Sequence, residues 1–270
     1  PTRSSPPAVL EYFPIFKKAP DMKSLAHLWF AFFLVTLASS GAQATEAVRD
    51  YPLTRIAQHT YVIHGPLGYP SVENQGFMNN PGFVITQNGV VVIDPGSSLQ
   101  AGRMLLKQIR TVTKKPVTHV FNTHVHGDHW LGNHAIREAY PESILMGHPE
   151  MIKLANDGAG EQWVALMDKS TDGFTKGTRA VPPSVASTDN TEIKIGGMTF
   201  RIYAPEKAHS HTDIMIEAVE DSVIFTGDNV LNQTIARMVD GTFAGSIAAC
   251  DRIAAVRAKH YVPGHGPSGD

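Results

Sequence analysis

The chain is poor in cysteine: Cys250 stands alone. One thiol makes no internal disulfide, and it leaves a thiolate-built structural zinc site without its ligands. There is no surplus of one charge either. The 23 basic and 25 acidic residues give a net charge of −2 and a pI near 6.7, which is no electrostatic footprint for nucleic acid. No G-x-S-x-G elbow occurs, which excludes a serine nucleophile of that type and is consistent with water as an attacking group. The longest apolar run, residues 25–37, is too short for a comfortable membrane span. Internal repeats and a dividing linker are also missing. What remains, 42% hydrophobic and 18% charged, is the composition of an ordinary globular protein with a sizeable core.

The first residues read as processing signals. Met22-Lys23, the apolar run and Ala42-Gln43-Ala44 form a basic start, a hydrophobic middle and an A-x-A cleavage site. Residues 22–44 are therefore expected to be a signal peptide, and the protein to be periplasmic or secreted without stable membrane association after cleavage. An uncleaved anchor is the alternative. Residues 1–21 hold five prolines and precede the signal; they read as an upstream extension, not as native structure. A single domain is expected over 45–270.

One stretch organises that domain: Thr123-His124-Val125-His126-Gly127-Asp128-His129-Trp130. Residues 117–122, β-branched and aromatic after Pro116, read as a short buried strand leading into it. In extended backbone His124 and His126 point the same way. Gly127 lets the chain turn and brings Asp128 and His129 round from another side, at the start of a helix through 131–140. Imidazole nitrogen and carboxylate oxygen suit ions such as zinc. Four ligands from one turn exceed what one open catalytic ion needs, which hints at two ions.

Other elements follow from pattern. A strand over 60–64 precedes the long loop 65–82, whose length suggests a lid or binding loop. Apolar strands at 83–86 and 90–93 join at Asn88-Gly89, a hairpin signal. The second ends at Asp94-Pro95-Gly96, where Asp94 is either the cap of a helix over 99–110 or a group that orients a metal ligand. A strand over 143–146 and helices over 149–156 and 161–169 come next, then a loop over 171–189. Hairpins are expected around Gly196-Gly197 and Glu220-Asp221, then a helix over 246–259 and a strand over 260–262. Each half runs strands first and helix later, as two α/β halves facing each other across one core would.

Three further groups sit in the same context as the first. His209-Ser210-His211-Thr212-Asp213, Thr226-Gly227-Asp228 and Gly264-His265-Gly266 each lie just beyond an expected strand. Loops at strand ends hold functional groups because a rigid sheet positions them while leaving one side open.

Together these motifs resemble the metallo-β-lactamase superfamily: His124-x-His126-x-Asp128-His129, His209, Thr226-Gly227-Asp228 and Pro263-Gly264-His265-Gly266, with Asp94 in Ile93-Asp94-Pro95-Gly96 matching the first motif. The run 51–266 also resembles a periplasmic, quinoprotein-relay-type zinc metallohydrolase subgroup. The resemblance implies a four-layer αβ/βα sandwich of two mixed β-sheets flanked by helices, with metals in a cleft at the top edge. It implies that His124, His126 and His209 bind one ion and Asp128, His129 and His265 a second, with Asp228 bridging. His209 is favoured over His211 because Asp213 follows it in the H-[ST]-x-x-D pattern; His211 is read as pocket-lining or orienting. Asp228 stands where one β-lactamase subclass carries cysteine, which excludes that subclass. Family members continue into a closing helix where this chain has five residues after His265, so a C-terminally shortened domain is expected.

The mechanism expected from this ligand set is hydrolysis. Two zinc ions sharing Asp228 lower the pKa of water to about 7, giving a bridging hydroxide that attacks an ester, thioester, lactone or β-lactam-like carbonyl. Asp128 and Asp228 are the expected catalytic carboxylates. In loop 65–82, Tyr69, Phe77 and Met78 are the candidates for lining a small-molecule pocket, with core packing the alternative. Iron in place of zinc would fit a persulfide dioxygenase on the same scaffold. Such enzymes carry a Cys-Gly-Arg segment where this chain has Ala236-Arg237-Met238, which weakens that reading. A periplasmic metal-binding protein without activity is the non-enzymatic alternative.

Overall fold

A computed structural model describes residues 47–270. The expected signal peptide at 22–44 and the extension before it lie outside the described residues. Two sheets organise the rest. The first has the order β1 (Leu53–Arg55), β2 (Thr60–Ile63), β3 (Gly82–Ile85), β4 (Val90–Ile93), β5 (Val117–Phe121), β6 (Ile144–Gly147), β7 (Val185–Ala186). Its strands are antiparallel from β1 to β4 and parallel from β4 to β7. The second sheet has five strands in the order β12 (His260–Pro263), β11 (Val223–Gly227), β10 (Met215–Ala218), β9 (Met198–Tyr203), β8 (Glu192–Ile195), antiparallel except for β11 with β12.

Strand residues alternate between two cores because successive side chains leave a strand on opposite faces. In β4, Val91 and Ile93 join Val84, Phe200, Ile202, Ile216 and Phe225 between the sheets. Val90 and Val92 turn the other way, against Met104, Leu105 and Ile109 of helix α1 (Leu99–Val112) and Ile136 of helix α3 (Asn133–Ala139). The second sheet repeats this: Met215 and Ile224 turn outward onto Ala249 and Ile253 of helix α6 (Phe243–Val256). The result is helix, sheet, sheet, helix, the four-layer sandwich expected from the sequence. Among the described residues, no helix is long and apolar enough to cross a membrane.

All three predicted hairpins form, with Val84 opposite Val91, Ile195 opposite Met198 and Ala218 opposite Val223. The helix expected after the histidine motif is broken. A short helix α2 (Gly127–Trp130) ends before α3, and Gly132 lies between them, accepted so closely against Pro95 that a Cβ would come within 2.4 Å of the Pro95 carbonyl oxygen. Strands β1 and β7 escaped the sequence reading because three and two residues carry no periodicity. Two further helices, α4 (Pro149–Leu154) and α5 (Gly160–Ser170), are joined through residues 155–159 and lie beside α2. There Trp130, Leu131, Met151 and Met167 form a small core of their own.

Candidate metal centre

The site is assembled at the ends of the strands from four loops. Residues 122–128 follow β5, 204–213 follow β9, Asp228 follows β11 and His265 follows β12. Hydrogen bonds between backbones tie those loops together: Ile214 N donates to Thr123 O (2.7 Å), and Gly264 N donates to Gly227 O (2.8 Å). Gly264 permits the last approach. A Cβ there would lie 2.0 Å from Asp228 Oδ1, so any other residue would displace the carboxylate.

Two groups of ligand-type atoms result. One comprises His124, His126, His209 and Asp228, the other Asp128, His129 and His265, and within each group the atoms lie within 4.8 Å of one another. Asp228 faces both. Its Oδ2 is 3.5 Å from His209 Nε2 and 3.9 Å from His124 Nε2, while its Oδ1 is 3.2 Å from His129 Nε2 and 3.5 Å from His265 Nε2. Asp128 Oδ2 lies 3.4 Å from His129 Nε2 and 3.2 Å from His265 Nε2. The structure thus brings together all seven residues proposed from the sequence as ligands.

Three atoms in this cluster test whether the residues fit a cation. His124 Nε2, His129 Nε2 and Asp228 Oδ1 are buried and have no aligned hydrogen bond. Buried polar atoms are otherwise almost always satisfied. Lone-pair atoms converging without partners are what a metal site presents, and the nitrogen–oxygen donor set suits zinc, iron or a similar transition ion. The residues fit one ion per group.

Electrostatics separates the two groups. Burial pushes His124 well below its ordinary pKa, with the neighbouring His129 adding to the effect, and burial lowers His209 to about 4. Both rings are neutral at pH 7, with a lone pair to offer. In the second group, burial also opposes charge on His265, but Asp228 and Asp128 outweigh it and raise the ring to about 10. His129 is likewise held well above its ordinary value, against burial, by Asp228, Asp128 and Asp94. Reciprocally, the His129 and His265 charges overcome the burial of Asp128 and bring it down to about 2. A cation entering the second group would replace these protons.

Around the cluster, other side chains fix the rings. Asp94 Oδ2 accepts from His129 Nδ1 (2.8 Å) and from Thr123 Oγ1 (2.7 Å), and its Oδ1 accepts from Thr123 N (2.8 Å). Of the two roles open to Asp94, the structure shows the orienting one, because Ser98 caps α1 by accepting from Ala101 N. His265 Nδ1 meets Met78 O (2.9 Å). Asn80, 4% exposed, donates through Nδ2 to Pro263 O and Gly266 O, bracing the loop that carries His265. On the other side, Asp240 Oδ2 lies 3.0 Å from His126 Nε2, and the Trp163 ring lies 5.3 Å from that imidazole.

Asp240, Asn80 and Trp163 were missed by sequence reasoning. Asp240 lies in a stretch with no periodic pattern, and Trp163 is one apolar residue in an ordinary amphipathic helix. Asn80 did leave a trace, in the Asn79-Asn80-Pro81 turn before β3. Two expectations need correction. Phe77 does not line the cleft: it is fully buried in the core beneath α1, with its ring 4.8 Å from that of Tyr51. His211 lies outside both ligand groups, exposed, and is absent from the cleft wall. His209, Ser210, Thr212 and Asp213 are buried and leave His211 as the exposed residue of that turn, which Asp213 anchors by accepting from Ser210 N and Oγ. Tyr69 and Met78, in contrast, do line a cleft of about 470 Å³ that opens onto His126, Asp128, His209, Asp228 and His265.

Comparison with known proteins agrees with this geometry. The sequence model of the Metallo-beta-lactamase superfamily matches residues 75–265, and the chain belongs to that superfamily. A probable metallo-hydrolase of Streptococcus pyogenes serotype M6 is 24% identical over 198 residues, covering 70% of this chain and 79% of that protein. An atrochrysone carboxyl ACP thioesterase of Paecilomyces divaricatus is 26% identical over 198 residues, covering 73% of this chain and 54% of that protein. Among solved structures, a metallo-beta-lactamase from Pontibacter korlensis shares the fold, with a TM-score of 0.63 and 23% identity over 81% of this chain and 93% of that one. The chain is an enzyme of this predominantly hydrolytic superfamily, with His/Asp clusters suited to metal ions.

Proposed function

We propose that this protein is a two-zinc hydrolase of acyl compounds, acting on an ester, thioester, lactone or β-lactam-like carbonyl. The observation that carries the proposal is Asp228, one carboxylate whose two oxygens face two separate ligand groups. In this reading His124, His126 and His209 hold one ion, Asp128, His129 and His265 hold the other, and Asp228 spans both. Divalent ions held by these residues would supply a water made nucleophilic at neutral pH and polarisation of the scissile carbonyl.

The chain's own residues do the remainder. Asp94 holds the proton of His129 on Nδ1 and so leaves Nε2 turned to the site, while Met78 O does the same for His265. Asp128, whose carboxylate lines the cleft, would orient the attacking water by accepting its hydrogen bond. The apolar cleft walls exclude bulk water around the carbonyl. A thioester is favoured among the candidates by the thioesterase relative, whose name records action on an acyl carrier protein. The sequence at 22–44 supports export to the periplasm or secretion.

The test is metal analysis of the purified protein followed by a substrate panel. Two zinc ions per chain and turnover of at least one acyl class are expected. A single iron, with oxygen consumed on addition of a persulfide, would establish the dioxygenase instead.

A further inference from the structure

The wall of the cleft is unusual in one respect. Leu67 and Tyr69 from the loop 65–82, Leu166 from α5, and Ile235 and Val239 from the loop after Asp228 stand round one mouth with exposures of 42%, 71%, 45%, 89% and 69%. Single exposed apolar residues are common on protein surfaces, but a group of them rimming one concavity marks a ligand site. Below them Trp163 and Met167 continue the apolar surface toward His126. The volume of about 470 Å³ falls within the range, roughly 300–1,000 Å³, of clefts that enclose a small molecule.

Charge in the cleft is distributed unevenly. Its carboxylates are all committed: Asp128 and Asp228 face the histidines, and Asp240 is bound to His126 Nε2. Its one cationic side chain outside the histidine cluster is Arg237, which is exposed at the mouth and has no hydrogen-bond or ion-pair partner among the described residues. A guanidinium presents a planar fork that matches a carboxylate or phosphate. A free one beside an apolar surface asks for a ligand that is apolar at one end and anionic at the other.

Resting on the hydrolase reading above, we propose that the substrate is an acyl compound with an extended apolar acyl group and an anionic leaving group. The acyl chain lies against Tyr69, Trp163 and Leu166, the carbonyl sits at Asp128 and Asp228, and the anion of the leaving group pairs with Arg237 at the mouth. Hydrolysis breaks the bond from the acyl carbon to sulfur or oxygen. Water supplies the new carboxylate oxygen, and the leaving thiol or alcohol takes up a proton.

The test compares two thioester series on the zinc-loaded protein, with acyl groups from acetyl to decanoyl. One series carries 3-mercaptopropionate as leaving group, the other its neutral amide. The expected kcat/KM rises about twofold to fourfold per added methylene, the scale of partial methylene burial. The charged series should lead the neutral one by about threefold to fivefold, the scale of a solvent-accessible ion pair. That lead should fall in high salt, collapse to near one in Arg237→Gln and survive in Arg237→Lys. A flat chain-length profile, or a lead that persists in Arg237→Gln, overturns the proposal. The matching thioethers, which cannot be cleaved, give the same ratio as Kd. An Arg237-dependent ratio there without turnover of any thioester would sink the hydrolase reading and leave the binding assignment standing, whereas equal Kd values in both series would sink the assignment itself.

Discussion

Asp240 holds His126: its Oδ2 lies 3.0 Å from His126 Nε2, linking a loop at the cleft mouth to the imidazole that is 18% exposed in an otherwise buried cluster. The contact fixes a proton on Nε2 and turns Nδ1, 3.0 Å from His209 Nε2, toward the first ligand group. Such outer partners typically contribute about 10–100-fold in metal affinity or activity. Asp240→Ala should therefore weaken the first ion by a factor on that scale, read by competition with a chromophoric chelator, with the fold intact by circular dichroism. An unchanged affinity would mean that the contact is incidental.

Asp228 should matter more. Because its two oxygens face both groups, Asp228→Ala is expected to lose at least one of two ions and most of the activity. Elemental analysis after gel filtration reads the stoichiometry directly. Retention of both ions would remove the bridge from the mechanism.

His209 and His211 separate cleanly. His209 is 3% exposed, with Nε2 3.5 Å from Asp228 Oδ2, while His211 faces solvent. His209→Ala should abolish stoichiometric binding at the first group, and His211→Ala should leave the metal content at the wild-type level. Reversed results would reassign the ligand.

Asp213 supplies a pH signature. Burial raises its pKa to about 6 even though Ser210 donates to it through both N and Oγ. The folded state then binds the proton more tightly than the unfolded chain, whose carboxylate titrates near ~4. Stability from this group is therefore fully present below about pH 4 and lost as pH rises toward about 6, by an amount on the order of 3 kcal/mol. Asn at this position does not titrate. The stability difference, wild type minus Asp213→Asn, should fall across that window in urea titrations. A difference independent of pH would show that Asp213 ionises normally.

Tyr69 and Phe77 should behave oppositely although they share one loop. Phe77→Ala removes a fully buried ring and should cost about 3–5 kcal/mol of stability. Tyr69, 71% exposed on the cleft rim, should leave stability within about 0.5 kcal/mol when changed to Ala. It should instead shift relative kcat/KM among acyl substrates. Thermal melts and a substrate panel on the two single variants decide this, and a large melting shift in Tyr69→Ala would contradict the placement.

The sequence by itself determined the chemistry and most of the framework. Ligand types, their spacing in 124–129 and their recurrence after strands are local features, and so are the turns at Asn88-Gly89, Gly196-Gly197 and Glu220-Asp221 that set the three hairpins. A continuous apolar run such as Val90 to Ile93 already required a strand buried on both faces. Tertiary structure decided what depends on direction in space. Phe77 and Tyr69 are equally bulky and apolar on paper, but only the packing of the loop on Tyr51 turns one inward and leaves the other on the rim. Asp94 was a cap or an orienting group until Ser98 was seen to occupy the cap. Asp240 and Arg237 carry no motif, and Asn80 shows only as part of a turn. Their roles arise because chain closure brings distant loops beside His126, the loop that carries His265 and the cleft, and a pairing across such separations leaves no periodic trace in the residues between.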